Sequence, residues 1–147
     1  MILNRHILTN IDPVTLYELL RLRVDVFVVE QNCPYPELDG RDLEPNAELW
    51  WLEDDGRVVA TLRVLTEPSG ERRIGRVATR IDRRGGGLAA RMIRTATDEL
   101  KGPLVLDAQS HLHDWYAEFG FAQDGPEFVE DGIDHIPMRR PAAGHHC

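Results

Sequence analysis

The sequence is poor in cysteine and has no long apolar run. Its two cysteines, Cys33 and Cys147, lie far apart among 147 residues, so no disulfide framework is indicated. No apolar stretch approaches the roughly 20 residues that a membrane-spanning helix needs. The opening stretch, MILNRHILTNIDP, is too polar for a signal peptide. From these absences we expect a cytoplasmic protein without a membrane partner.

The charge balance is acidic, with 25 Asp and Glu against 17 Lys and Arg and a formal net charge of −8. Such a chain has no general electrostatic reason to bind nucleic acid or an anionic membrane. It is better suited to a cationic or amine-bearing small molecule, although acidic surfaces also serve solubility. The length and the 42% hydrophobic content are those of one folded domain. We expect that domain over residues 1–140, and a loose tail over 141–147.

Local patterns predict alternating helices and strands. Asp12-Pro13 is typical of a helix start, and the apolar spacing that follows predicts a helix over 13–29. Residues 30–46 contain three prolines and a glycine and predict a long loop. The other predicted elements are strands at 47–53 and 57–65 joined by an Asp55-Gly56 turn, a strand at 72–81, a helix from 88 to about 101, a strand at 104–109, a short helix ending at Gly120, and closing strands.

This order of elements places antiparallel hairpins around one strand–helix–strand crossover. A crossover of this kind makes its two strands parallel within one sheet. The predicted fold class is therefore α/β with a mixed, mostly antiparallel sheet, and it is not a Rossmann fold. The exposed edges of so small a sheet would allow a homodimer.

Three consecutive glycines precede the second long helix, in RRGGGLAARMI at residues 83–93. A helix N-terminus has about four unpaired N–H groups and a partial positive charge, and glycines let a ligand approach them closely. Arg83 and Arg84 add positive charge. The pattern predicts a phosphate site, with a flexible turn between surface arginines as the alternative. The P-loop and dinucleotide motifs do not match, because no Lys-Ser/Thr follows and the glycine register differs.

Two motifs resemble those of the GNAT N-acetyltransferase superfamily. Arg84-Gly85-Gly86-Gly87-Leu88-Ala89 is similar to the family's pyrophosphate loop, which reads Gln or Arg, two residues, Gly, one residue, and Gly or Ala. Gln109, Tyr116 and Gly120-Phe121 follow with the family's spacing, although Gln replaces the usual Asn. Residues 23–42, HLHDWYAEFGF and EDGIDHIPM further resemble the ElaA group, and the resemblance extends from about residue 13 to 140.

The resemblance implies the GNAT fold, acetyl-CoA as cosubstrate and an amine as acceptor. The strand before the glycine loop would pair with the pantetheine arm through Val77, Ala78 and Thr79, and an N–H of Val77 or Ala78 would polarise the thioester carbonyl. Gln109 would hold the same arm or the local backbone. Tyr116 falls where the family has a general acid for the departing thiolate, a role that suits a phenol.

The general base for the amine is not settled by the resemblance. Glu30, at the end of the first helix, and His111, at the start of the short helix, are the leading candidates, and proton loss through ordered water is a third possibility. Glu30, together with Asp39 and Asp42 in the long loop, is also a candidate for contact with the acceptor; alternatively, the acidic loop is a solvated surface. His135 in the last strand is interpreted as a structural histidine.

No metal site is predicted. His111, His113 and the tail residues His145-His146-Cys147 lack the spacing of a zinc motif, and Cys33 lacks the helix N-terminus that would activate a thiol. Two functions remain open at this point. One is an acetyl-CoA-dependent N-acetyltransferase acting on a small molecule, peptide or protein, and the other is a non-catalytic acetyl-CoA sensor. A sensor would not need a proton donor such as Tyr116.

Overall fold

A computed structural model describes residues 1–142, in which three α-helices accompany one eight-stranded sheet. The elements are β1 (Ile2–His6), α1 (Pro13–Val24), β2 (Glu48–Asp54), β3 (Arg57–Thr66), β4 (Arg72–Thr79), α2 (Leu88–Glu99), β5 (Leu104–Gln109), α3 (His113–Ala117), β6 (Ala122–Gln123), β7 (Phe128–Glu130) and β8 (Ile133–Arg140). No helix in this part of the chain is long and apolar enough to cross a membrane. The predicted tail lies outside the described residues from position 143 onward, and His145-His146-Cys147 with it.

The strands are ordered β1-β2-β3-β4-β5-β8-β6, and β7 also pairs with β8. Every pair is antiparallel except β4 with β5, which α2 connects as a crossover. The predicted mixed sheet is therefore confirmed. Strand β1 was not predicted, because its five residues form an edge strand of half-buried and exposed positions without a clear apolar alternation.

Helix α1 begins as its sequence indicates. The Asp12 carboxylate accepts hydrogen bonds from the N–H groups of Val14 and Thr15, at 3.1 and 3.2 Å. Pro13 occupies the first turn, where its lack of an N–H group costs no hydrogen bond within the helix. The α-helix ends at Val24 rather than near residue 29, and a π-helical turn continues over Asp25–Glu30. That turn is rich in β-branched valines, which crowd a regular α-helix, and such turns are frequent at functional sites.

The two faces of the sheet carry separate apolar clusters. Trp50 belongs to the cluster under α2, with Met92 and Ile93, and its neighbour Trp51 belongs to the cluster under α1, with Leu19. This is the alternation expected of a strand buried on both faces. The Asp55-Gly56 turn before β3 has positive φ at both residues, 53° and 74°, as a two-residue hairpin turn requires.

Strands β4 and β5 pair only at their beginnings. Arg72 lies opposite Leu104 and Arg73 opposite Val105, and the two strands then separate. On its other side, β4 shifts register against β3 between Thr61 and Arg63. Arg76 lies in this irregular stretch with a φ of 54°, so the strand bulges there. The sheet consequently opens in its middle, beside an irregular backbone.

Candidate functional site

A cleft of about 1200 Å³ opens where β4 and β5 separate. Its walls also include the π-helical turn, the following loop, the glycine loop and the β7–β8 hairpin. The structure brings most of the predicted site residues to this cleft; those lining it are Glu30, Asp39, Val77, Ala78, Thr79, Arg84, Gly85, Gly87, Leu88, Ala89, Gln109, His111 and Tyr116. Gly86 and Asp42 are not among the lining residues.

The glycine loop leaves the start of α2 open. Gly85 and Gly87 have φ of 84° and 76°, in the left-handed region, and a Cβ at either position would meet no atom within 4 Å. Glycine is thus favoured by the backbone conformation and not by crowding. Within residues 1–142, no side chain caps the N-terminus at Gly87, and the first turn holds no acidic residue. Its N–H groups are therefore free to receive an anion.

Arg84 and Glu30, predicted for different roles, are joined across the cleft. Arg84 donates from Nη1 and Nη2 to the two carboxylate oxygens of Glu30, at 2.6 Å each, and from Nε to the carbonyl of Thr79 at 3.1 Å. Hydrogen bonding from Arg84 lowers the pKa of Glu30. A carboxylate held in this way is a weaker proton acceptor than a free one.

Tyr116 lies on α3 with its ring against two aromatic neighbours. The ring contacts Trp115 and Phe121 edge-on, at centroid distances of 4.8 and 6.1 Å, and the residue is 7% exposed. Burial raises the pKa of its phenol to about 12. Its side chain contributes to the cleft wall. The phenol is thus kept protonated at neutral pH.

Gln109, the last residue of β5, contacts a residue that the sequence analysis missed. Its Nε2 donates to Oε1 of Gln31 at 3.4 Å, and both residues line the cleft. Gln31 follows the π-helical turn directly, so this contact connects the wall formed by β5 to the wall formed by that turn. No pattern in the neighbouring sequence indicates that a single glutamine in a loop contacts Gln109.

A set of alternating charges, four of them buried, anchors the long loop. We call it the loop network; its members are Arg23, Glu37, Asp39, Asp42, Arg63 and Arg76. Arg23, 1% exposed on α1, donates from Nε to Glu37 and from Nη1 to Asp42, at 2.7 Å each. Arg63 of β3 holds Asp39 through two hydrogen bonds of 2.9 and 3.0 Å. The loop is thereby fixed against both α1 and the sheet.

The loop network changes the interpretation of the two loop aspartates. Asp42 is 6% exposed and bound by Arg23 and Arg63, so its position favours a structural role over the predicted acceptor contact. Asp39 lines the cleft but is held by Arg63 and Arg76. Burial acts to raise the pKa of Asp39, yet hydrogen bonds from Arg63 and the Arg41 backbone outweigh it and leave that pKa lowered.

Arg76 connects the bulge of β4 to the loop network. Its Nε donates to Glu37 at 2.8 Å and its Nη2 to Asp39 at 3.3 Å, while its guanidinium lies 5.5 Å from the centre of the Tyr35 ring. A left-handed backbone is unfavourable for arginine, and these contacts hold it. Arg76 precedes Val77, so the network fixes the backbone that the cleft presents there.

The histidines near the cleft differ in their surroundings. His111 is exposed and lines the cleft, whereas His113 contacts Asp114 at 2.9 Å and is not among the lining residues. His135 is half-buried, lines the cleft and contacts the carbonyl of Ile133 through Nδ1 at 2.8 Å. Within the described residues no three His, Cys, Asp or Glu side chains are arranged to hold a metal ion.

Comparison with known proteins identifies similar chains. Residues 21–141 match the family model described as "Acetyltransferase (GNAT) domain". The chain is 51% identical over 140 residues to UPF0039 protein Rv2851c of Mycobacterium tuberculosis, which covers 92% of this chain and 90% of that protein. It is also 41% identical over 134 residues to protein ElaA of Escherichia coli, which covers 85% of this chain and 86% of ElaA.

Two crystal structures are similar over almost their full lengths. An acyl-CoA N-acyltransferase from Pseudomonas aeruginosa superposes with a TM-score of 0.87 at 36% identity, which covers 95% of this chain and 99% of that one. The structure of Escherichia coli ElaA superposes with a TM-score of 0.85 at 34% identity, with the same coverage. Both likenesses lie well above the level at which only the fold is shared.

Proposed function

The chain belongs to the GNAT acetyltransferase family, in its ElaA-like group, and is thus an acyl-CoA-dependent acyltransferase; from this premise we propose that it is an N-acetyltransferase. The group transferred is acetyl from acetyl-CoA, and the acceptor is a primary amine of a small molecule, peptide or protein. One observation carries the proposal. The open N-terminus of α2 and the buried phenol of Tyr116 belong to the same cleft.

The glycine loop fits the diphosphate of coenzyme A. Gly85 and Gly87 leave open space where side chains would stand, and no carboxylate competes for the N–H groups of the first turn within the described residues. Leu88 and Ala89 continue that turn, and Arg84 adds a guanidinium beside it. These residues would hold the diphosphate, since helix N-termini bind phosphate groups through such N–H donors.

The separated strands fit the extended arm that follows the diphosphate. From Ile74 to Thr79, β4 has no strand partner on the side of β5, so Val77, Ala78 and Thr79 would hydrogen-bond the arm as a neighbouring strand. Gln109 would contact it from β5. When bound, acetyl-CoA supplies the thioester whose acetyl group is transferred.

The chemistry needs a donor for the carbonyl oxygen and a proton for the departing thiolate. An N–H of Val77 or Ala78, next to the bulge at Arg76, is the candidate donor. Tyr116 is the candidate acid, because it lines the cleft and its phenol, whose pKa burial raises to about 12, carries a proton at neutral pH. No dedicated base follows from these residues alone.

The test is a thiol-release assay with acetyl-CoA and a panel of primary amines, each acetylated product being verified by mass spectrometry. We expect amine-dependent release of free coenzyme A. Failure of the protein to bind coenzyme A in calorimetry at millimolar concentration would refute the proposal. Binding without turnover of any amine would favour the alternative, a non-catalytic acetyl-CoA sensor.

An amine acceptor, a cytoplasmic location and a homodimer stay predictions from the sequence. The sensor is less well supported than the enzyme, because a sensor has no use for a buried phenol in the cofactor cleft. The presence of Tyr116 therefore favours the enzyme over the sensor.

A further inference from the structure

We propose that His135 is the general base of the reaction and takes the proton from the acceptor amine through Nε2. The inference rests on the proposed N-acetyltransferase function and extends it, since the family resemblance leaves the base open. From the sequence alone, His135 is interpreted as a structural histidine. Its hydrogen bond, its stacking and its strand register assign it a chemical role in addition.

The hydrogen bond of His135 determines which ring nitrogen carries the proton. Nδ1 lies 2.8 Å from the backbone oxygen of Ile133. A carbonyl oxygen only accepts hydrogen bonds, so Nδ1 is the donor and holds the proton. In the neutral ring Nε2 then has a free lone pair. This is the tautomer that a general base requires.

The orientation of the ring is fixed by its neighbour on β7. His135 stacks on Phe128 with a centroid distance of 5.6 Å and an interplanar angle of 18°. The stack and the hydrogen bond to Ile133 together hold the ring in one orientation. A base that is already oriented does not lose conformational freedom when the acceptor binds.

The strand register places His135 beside Gln109 in the wall of the cleft. His135 pairs with Gln109 across β5 and β8, and with Phe128 across β7 and β8. Directly opposed residues on neighbouring strands extend to the same face of a sheet. His135 therefore shares a face with Gln109, whose side chain reaches Gln31 at the end of the π-helical turn.

The other candidate bases are less suitable. Both carboxylate oxygens of Glu30 are bound by Arg84, and Asp39 is bound by Arg63 and Arg76. His111 lines the cleft but is exposed. His135 combines a half-buried position, a fixed orientation and an Nε2 atom that, within residues 1–142, forms no hydrogen bond with an arginine.

Two protons move during the transfer of the acetyl group. The amine nitrogen forms a bond to the carbonyl carbon of the thioester while Nε2 of His135 accepts the proton that this nitrogen loses. The carbon–sulfur bond breaks, its electron pair stays on sulfur, and the phenol of Tyr116 supplies the proton to that sulfur. Return of the imidazolium proton to the phenolate through solvent restores both residues.

The decisive variants are His135→Asn and His135→Gln. The asparagine amide N–H stands near the position of Nδ1, so it preserves the hydrogen bond to Ile133 and removes Nε2. Glutamine lacks a basic nitrogen at the position of Nε2 and also removes the hydrogen bond to Ile133. We expect both variants to lose about 100-fold or more in kcat/KM with an amine that the wild type acetylates. Affinity for coenzyme A should stay within about twofold of the wild-type value.

The controls separate this proposal from the proposed function and from simple destabilisation. His113→Gln, which changes a histidine outside the cleft lining, should leave turnover unchanged. Addition of imidazole should partly restore turnover to His135→Ala and not to Tyr116→Phe, a result that a merely structural histidine would not give. If the wild type acetylates no amine, the proposed function fails. If the wild type is active and His135→Asn keeps more than half of that activity, the role of His135 fails.

Discussion

Arg84 grips Glu30 from the opposite wall of the cleft, with both guanidinium Nη groups 2.6 Å from the carboxylate oxygens. The glycine loop and the end of the π-helical turn are thereby linked. Arg84 is also the residue expected to meet the diphosphate of coenzyme A. The carboxylate and the diphosphate would therefore share one guanidinium, and part of its hydrogen bonding to Glu30 would be given up when coenzyme A binds.

This competition predicts that Glu30→Gln binds coenzyme A more tightly than the wild type does. A neutral amide competes less well for Arg84 than a carboxylate, because charge-assisted hydrogen bonds are the stronger ones. We expect a gain of about 3- to 10-fold in affinity, which corresponds to a partly exposed ion pair worth about 1 kcal/mol. Isothermal titration calorimetry with coenzyme A measures it.

The matched control is Glu18→Gln, which removes the same charge from an arginine pair away from the cleft. Glu18 contacts Arg57 at 2.8 Å and is not a cleft residue. Its replacement should leave the affinity unchanged. Arg84→Gln should bind coenzyme A about tenfold more weakly. Equal affinities of Glu30→Gln and the wild type would show that the ion pair does not oppose binding.

A second prediction concerns the left-handed backbone of Arg76. Arg76→Gly and Arg76→Ala both lose the contacts to Glu37 and Asp39, but only glycine adopts a φ of 54° without steric cost. We expect Arg76→Gly to have the larger free energy of unfolding of the two, by about 1 kcal/mol. Urea denaturation of the two variants measures the difference. A more stable alanine variant would mean that the bulge relaxes once the guanidinium is gone.

The sequence predicts those parts of the fold that local signals determine. The Asp12 cap, the Asp55-Gly56 turn and the glycines before α2 are each recognisable within a few residues, and all three stand as expected. Strand β1 and the end of α1 at Val24 could not be predicted from local sequence signals. An edge strand and a π-helical turn depend on packing against distant segments.

The site residues that the sequence did not reveal were missed for one physical reason, which is that their partners are distant in sequence. Arg23 and Glu37 are 14 positions apart, and Arg76 and Glu37 are 39 apart, so no local pattern reveals that they meet. Arginines and carboxylates in an acidic, polar sequence read as surface residues unless their burial is known. The tertiary fold alone shows that Asp42 is buried in an ion pair while Asp39 faces the cleft.

A third prediction follows from the burial of Arg23. Arg23→Ala removes the main partner of two buried carboxylates, those of Glu37 and Asp42, which are 3% and 6% exposed. Removal of one member of a buried ion pair costs about 3–5 kcal/mol, and we expect a loss of that size in the free energy of unfolding. Arg21→Ala, on the exposed side of the same helix, should change it by less than about 0.5 kcal/mol. Comparable losses in the two variants would contradict a special role for the loop network.

The fourth prediction concerns the phenol of Tyr116. Tyr116→Phe removes the proton donor and keeps the ring contacts with Trp115 and Phe121. We expect turnover with acetyl-CoA to fall by about 100-fold or more, while the affinity for coenzyme A changes by less than twofold. Tyr17→Phe, which removes a hydroxyl from a side chain that is 71% exposed, is the matched control and should retain full activity. Equal losses of turnover and affinity would make Tyr116 a binding residue only.

The pH dependence of folding gives an independent test of the same phenol. Burial raises the pKa of Tyr116 to about 12 in the folded protein, whereas an unfolded tyrosine ionises near 10. Below pH 10 both states keep the proton, so the stability is unaffected by this group. Between about pH 10 and pH 12 the unfolded state loses its proton first, and the free energy of unfolding must fall. Urea denaturation across this interval should show a smaller decline for Tyr116→Phe than for the wild type. Parallel curves would mean that the phenol ionises as readily in the folded protein as in water, and that burial does not raise its pKa.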